Sequence, residues 1–312
     1  MLDGDNQLDL GADRVLKSAP FLGFLMSIRG IGPTRALKIA TDGLSIEGVE
    51  SALGIPSLRD KFAAWQAMTK QWQPEWRLIG YFDPEYPPHL RNLLTPPAVL
   101  WVWGNLPSQL RGVGVVGTRS PTQSGANCAI SVGSTLDANE NFLVSGLADG
   151  VDFLAHESSL AAGIVNVAVL GEGFLGLRTE NRRTLATKIV MNGGAVLSEL
   201  PPDAPSSAGS FIERDRIIAG LADVLVVAQC GIPSGTLHTV AAAKQLGLPL
   251  MVAKLTGDPR YFRGNLHLSG KLQENLSDDE WAALDRLQLR DLGDLEISEF
   301  GSAAEFKELM HS

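Results

Sequence analysis

Phe211-Ile-Glu-Arg-Asp-Arg-Ile-Ile-Ala-Gly-Leu, then Val224-Leu-Val-Val-Ala, then Ser234-Gly-Thr, leads through a helix and a strand to Lys254. The pattern is an arginine-bearing helix entering a buried strand, followed by a small-residue turn that opens another helix. Such a turn leaves backbone N–H groups facing outward at a helix N-terminus, where an anion is stabilised. Earlier in the chain Gly117-Thr118-Arg119 makes a second turn of this type. Two anion-type turns with arginines beside them point to a polyanionic guest, either a nucleic-acid backbone or a nucleotide.

The sequence around these turns alternates between short apolar runs and helical stretches. The runs at 113–116, 142–144, 165–170, 195–197, 224–227 and 248–253 are nearly continuous, as in strands covered on both faces. Helical stretches at 125–138, 149–162, 180–191, 212–220 and 236–246 separate them. This rhythm predicts an α/β fold, a Rossmann-like doubly wound and mostly parallel sheet that binds ligands outside the carboxyl ends of its strands. Gly117-Thr118-Arg119, Ser145-Gly146-Leu-Ala, Gly171-Glu-Gly173 and Ser234-Gly235-Thr236 all follow strands or open helices, and are the candidate phosphate or nucleotide contacts. No G-x-G-x-x-G fingerprint follows the first of these strands, which counts against a plain NAD enzyme.

Four regions are expected. Residues 1–75 read as a small helical domain. Within it Ile28-Arg-Gly30-Ile-Gly32-Pro-Thr-Arg-Ala resembles a helix-hairpin-helix, whose glycine turn can set N–H groups against a DNA phosphate. The same hairpin can simply pack helices, and both readings stay open. Residues 76–112 form a proline-rich junction ending in a strand, expected at a sheet edge where proline is tolerated. Trp101 and Trp103 share one face of that strand, which favours packing over base stacking. Residues 113–272 form the Rossmann-like domain, and 273–312 an acidic tail of one or two amphipathic helices beginning at Ser277.

Bulk chemistry narrows the function. The net charge is −9, yet from Lys271 onward there are four Lys/Arg against eleven Asp/Glu, so the body is nearly neutral. Charge therefore neither requires nor excludes a nucleic-acid partner. No apolar run of about 18 residues is present, so no membrane span is expected, and the acidic first residues do not read as a signal peptide. Cys128 and Cys230 make no disulfide framework, and the expected compartment is the cytoplasm. Five scattered histidines form no metal-ligand pattern, and no cofactor is expected. No G-x-S-x-G elbow is present and neither cysteine has an activating base nearby in sequence, so no nucleophile is expected.

Asp152 and His156, four apart, share a helix face, and His156 is expected as a hydrogen-bonding pocket residue. Arg119, Arg214 and Arg216 are the cations placed where a phosphate would find them. Arg214 and Arg216 diverge by about 200° on a helix, so at most one reaches a ligand if the segment is helical. Phe211 either stacks a base or staples the helix start.

Val115-Val-Gly-Thr-Arg, Ser145-Gly-Leu-Ala-Asp-Gly-Val-Asp, Ala168-Val-Leu-Gly-Glu-Gly, Glu180-Asn-Arg, Leu197-Ser-Glu-Leu-Pro-Pro, Phe211…Arg214-Asp-Arg, Ser234-Gly-Thr and Gly264-Asn-Leu occur in this order. Together they resemble the DNA-processing protein A (DprA/Smf) family over residues 20–272. The resemblance implies a non-enzymatic, dimeric protein that binds single-stranded DNA, protects incoming strands and loads the recombinase RecA in natural transformation. It implies a phosphate on Arg119, donors from Ser145, Gly146, Ser234, Gly235 and Thr236, and a strand-binding face of Phe211, Arg214 and Arg216. Here Asp215 replaces the family's usual Asn, Ala228-Gln229 lacks the usual glutamate, Pro233 stands for a basic residue, and Thr256-Gly257 replaces Pro-Gly. The rival class is a non-catalytic sensor of a nucleotide or nucleotide-derived ligand in the same pocket. Hydrolysis of the Lonely Guy type is not expected, because Gly235-Thr-Leu-His-Thr supplies no glutamate.

Overall fold

Side chains alternate across a strand, and that alternation divides the apolar residues between the two faces of one sheet. The computed structural model describes residues 14–273 and 275–311. Its strands are β1 (Trp76–Gly80), β2 (Val99–Gly104), β3 (Arg111–Gly117), β4 (Asn141–Ser145), β5 (Val165–Leu170), β6 (Ala195–Ser198), β7 (Val224–Gln229), β8 (Leu250–Ala253) and β9 (Ile297–Phe300). They form a nine-stranded sheet in the order β1-β2-β6-β5-β4-β3-β7-β8-β9. The β1–β2 and β2–β6 pairs are antiparallel, and every other pair is parallel. From β3 the chain builds outward through β4, β5 and β6, then returns to place β7 on the other side of β3. The order reverses between β3 and β7, and a crevice opens at such a switch point.

Leu100, Val102, Val144, Val167, Val169, Leu197, Leu225, Val227 and Val252 enter the core on one face. Their strand neighbours Trp101, Leu143, Ala168, Val196, Val226 and Met251 enter the opposite face. Strands buried on both sides explain why the apolar runs are continuous rather than alternating. The first face is covered mainly by α8 (Ala208–Leu221) and α9 (Thr236–Leu246). On the other face α5 (Gln123–Thr135) and α6 (Val151–Ala161) cover the middle of the sheet. Toward β2, α7 (Glu180–Met191) joins the N-terminal helices α1 (Ala19–Ser27), α2 (Pro33–Thr41), α3 (Ile46–Leu53) and α4 (Leu58–Thr69). Trp101 packs there, with ring centroids 4.9 Å from Trp72 and 6.5 Å from Trp65. The helices of the N-terminal region thus share a core with the sheet.

Four features differ from the sequence reading. β2 is not an edge strand, because it pairs with β1 and β6, and the prolines at 96 and 97 stop short of its ladder. The missed strand β1 takes the edge; only one of its residues, Ile79, is a buried apolar side chain, so its pattern is weak. The acidic tail is not wholly helical. Between the helices α10 (Asp278–Arg286) and α11 (Ala303–His311), β9 pairs with β8 and delivers Phe300 beside Phe306 in the core. The helix α8 also begins earlier than its apolar pattern suggests, because Ser207 and Ser210 form a reciprocal capping box at its start.

Candidate functional site

The crevice between β3 and β7 is a cleft of about 430 Å³. Its walls are the turn Gly117, Thr118, Arg119 after β3, the start of α8 at Phe211, Ile212, Arg214 and Asp215, and Pro233, Ser234, Gly235, Thr236 leading into α9. Ala148 and Asp152 close one end. The two turns singled out in the sequence therefore meet, because the strand order makes β3 and β7 neighbours. Ser234 Oγ accepts from Thr236 N–H at 3.3 Å. The backbone N–H groups of Arg119, Ser234 and Gly235 have no protein acceptor among the described residues. Donors left open at the start of an 11-residue helix favour a bound anion.

Two arginines give the cleft its cations. Arg119 is exposed, and its guanidinium carbon lies 5.4 Å from the Phe211 ring centroid. Cation and ring thus form one platform on which a base and its phosphate can both be met. Arg214 is 7% exposed and donates from Nη1 to Val169 O at 2.8 Å. Asp215 Oδ1 lies 3.2 Å from Arg214 Nε. Burial pushes the Asp215 carboxyl up to about 7, against the opposing pull of Arg214. Burial also raises the Asp152 carboxyl, again opposed by Arg214. Asp152 Oδ2 accepts from Gly146 N–H at 3.1 Å and Ala148 N–H at 3.4 Å, so it ties down the loop after β4. Gly146 is where Arg214 needs room: a Cβ there would lie 1.6 Å from its Nη1.

Outside that geometry the comparisons with known proteins are direct. A model of the family described as DNA recombination-mediator protein A matches residues 77–276. The chain belongs to this family. It is 31% identical over 232 residues to the Synechocystis protein Smf, covering 73% of this chain and 57% of that one. The chain spans about half the length of the curated relatives it matches. The crystal structure of DNA processing protein A from Streptococcus pneumoniae has the same fold, with a TM-score of 0.62 at 22% identity and 96% of both chains covered. DNA processing protein A from Helicobacter pylori, described in a single-stranded-DNA binding mode, superposes with a TM-score of 0.55 at 24% identity, over 69% of this chain and 96% of that one.

In this member of the recombination-mediator A family, several residues expected at the ligand hold the scaffold instead. Ser145 is buried and donates from Oγ to Val115 O at 2.6 Å, joining β4 to β3. The N–H of Gly146 is already committed to Asp152. His156 is fully buried, with Nδ1 2.7 Å from Asn166 Oδ1, and burial pushes it down to about 4. It is a neutral core group at physiological pH rather than a pocket residue. Gly171 admits Phe211 closely and Gly173 admits the Pro201 and Pro202 carbonyls, so this pair serves packing. Arg216 leaves α8 on the side away from the cleft. Its Nη2 donates to both Glu199 oxygens at 2.8 and 2.9 Å and its Nε to Thr95 O at 2.8 Å. The divergence of Arg214 and Arg216 on a helix is thus realised, with only Arg214 in the cleft.

The hairpin Gly30-Ile-Gly32 stands between α1 and α2, with Gly30 at φ 84° and Ile31 buried. Arg29, Arg35 and Lys38 are exposed around it. Ile212 and Thr239 also line the cleft and were not singled out in the sequence. Thr239 lies three residues after Thr236 on the same face of α9, a spacing that could have signalled it. Among the described residues no group of three or more His, Cys, Asp or Glu side chains is arranged to hold a metal. None of their helices is long and apolar enough to cross a membrane.

Proposed function

We propose that this protein binds single-stranded DNA in the cleft between β3 and β7, as a cytoplasmic binding protein rather than an enzyme. The observation that carries the reading is the Arg119–Phe211 platform at the mouth of a switch-point cleft, facing the open N-terminus of α9. A base stacks on Phe211, Arg119 meets the adjoining phosphate, and the N–H groups of Ser234 and Gly235 receive a phosphate oxygen. Arg214 offsets the buried carboxyls of Asp152 and Asp215 in the cleft. Family membership and the H. pylori relative, described for its single-stranded-DNA binding mode, support the same ligand class. The Gly30–Gly32 hairpin with its exposed cations offers a second backbone contact. Protection of incoming strands, loading of RecA and a homodimeric state belong to this proposal and rest on the family resemblance.

A second reading has one observation in its favour. Arg119 and Arg214 share the cleft with Asp152 and Asp215, a charge balance that suits a single nucleotide better than a long polyanion. The test is fluorescence anisotropy of a labelled oligo-dT at low salt. Phe211→Ala is expected to weaken binding about 5- to 100-fold, the usual range for removing one base–aromatic stack. Arg119→Ala is expected to weaken it while lowering the salt slope by about 0.7, as for the loss of one phosphate contact on a single strand. Unchanged affinity in both variants would remove DNA from the cleft.

A further inference from the structure

A second groove, of about 680 Å³, opens on the same carboxyl edge of the sheet, between α5 and the ends of β8 and β9. One wall is a stripe of α5, Gln123, Asn127 and Ser131, spaced four apart so that they share a face. The opposite wall is the chain leaving β8 from Lys254 to Asp258, and Tyr261 stands at its end, 58% exposed. Tyr261 thus presents a large aromatic side chain to solvent beside a concave surface. Gln123 Nε2 donates to Asn127 Oδ1 at 2.8 Å. Gln123 Oε1 and Asn127 Nδ2 are left as an acceptor and a donor with no partner among the described residues. Paired open amide groups can meet the hydrogen-bonding edge of a nucleobase.

One side chain ties the groove to the cleft. Gln229, at the end of β7, accepts on its backbone oxygen from Thr118 N–H at 2.8 Å, in the cleft wall. Its Oε1 accepts from Thr122 N–H at 2.9 Å and Thr122 Oγ at 3.0 Å, in the groove wall. Its Nε2 donates to Tyr261 O at 3.0 Å. The segment from Thr118 to Thr122 is therefore a narrow ridge with the cleft on one side and the groove on the other. Gln229 fixes both sides to one strand end. The groove's lysine, Lys254, is already matched by Glu305 at 3.3 Å, so its chemistry favours bases over phosphates.

We infer that a single DNA strand seated in the cleft crosses the Thr118–Thr122 ridge and lays its next bases in this groove, stacking one on Tyr261. The inference rests on the single-stranded-DNA reading of the cleft. It is tested by anisotropy with the full chain and two labelled oligo-dT lengths, about four and about ten nucleotides, spanning the usual range of site sizes. The wild-type protein should hold the longer strand more tightly. Tyr261→Ala should weaken the longer strand about 5- to 100-fold and leave the shorter one within about twofold. Tyr261→Phe should retain wild-type affinity for both, since stacking needs the ring and not the hydroxyl. Ser131→Trp, which fills the groove from the α5 side, should reproduce the alanine phenotype. Equal losses at both lengths, or none with Ser131→Trp and Tyr261→Ala, would overturn the inference. Failure of the wild-type protein to bind either length would instead sink the reading of the cleft itself.

Discussion

Arg214→Ala is expected to lower the stability of the protein by about 3–5 kcal/mol, the usual cost of removing one partner from a buried charged cluster. Arg214 is 7% exposed, and both Asp152 and Asp215 depend on it to offset their burial. Without it Val169 O loses the Arg214 donor and two buried carboxyls lose their strongest opposing charge. Urea unfolding checks the stability, and oligo-dT anisotropy on the folded fraction checks binding, which should be lost. Gly146→Ala separates the two effects. Its methyl would displace the guanidinium 1.6 Å away without deleting the charge. The expected stability loss is smaller, about 1–3 kcal/mol as for an overpacked site, with binding again reduced. If Arg214→Ala unfolds at the wild-type urea concentration, the charged cluster does not hold the cleft as described.

Asp215→Asn is expected to raise oligo-dT affinity roughly tenfold at pH 8 and to remove most of its pH dependence between pH 6 and 8, since one unfavourable charge near a phosphate is worth about 1.4 kcal/mol at this range. In the wild-type protein burial holds Asp215 protonated up to about pH 7, so its charge appears as the pH rises through that value. Wild-type affinity should therefore fall from pH 6 to pH 8. The stability effect has the same sign. Asp215 has its folded value raised to about 7 from 3.8, so the stabilisation from its protonated form is complete below about 3.8. It declines as the pH rises toward 7 and is gone above that. Asn keeps the shape without the charge, and urea unfolding at pH 8 should show the variant at least as stable as wild type. A wild-type binding curve flat across this pH range would contradict the assignment.

The doubly wound sheet was legible because strands buried on both faces leave continuous apolar runs, and those runs sat where β3 to β8 lie. The cleft was legible for the same reason: turns after β3 and β7 carry Gly117-Thr-Arg and Ser234-Gly-Thr, and topology brings neighbouring strand ends together. Less legible was how each side chain is used. Ser145, Gly146 and His156 sit within motifs that suggest ligand contact, yet their hydrogen bonds go to Val115, Asp152 and Asn166. Such pairings depend on tertiary neighbours distant in sequence, as does the Glu199 and Thr95 clamp that removes Arg216 from the cleft. β1 and β9 were missed because each is at an edge, where one side of the ladder has no partner and the apolar pattern thins.

The salt dependence of binding decides most directly between a strand and a single nucleotide in the β3–β7 cleft. Oligo-dT affinity should be followed from about 50 to about 200 mM salt, beside a competing mononucleotide, because each neutralised phosphate of a single strand adds about −0.7 to the slope. The account predicts a steep fall for the strand and weak competition by the mononucleotide. A mononucleotide that displaces the strand at equal concentration, with affinity nearly independent of salt, would contradict it.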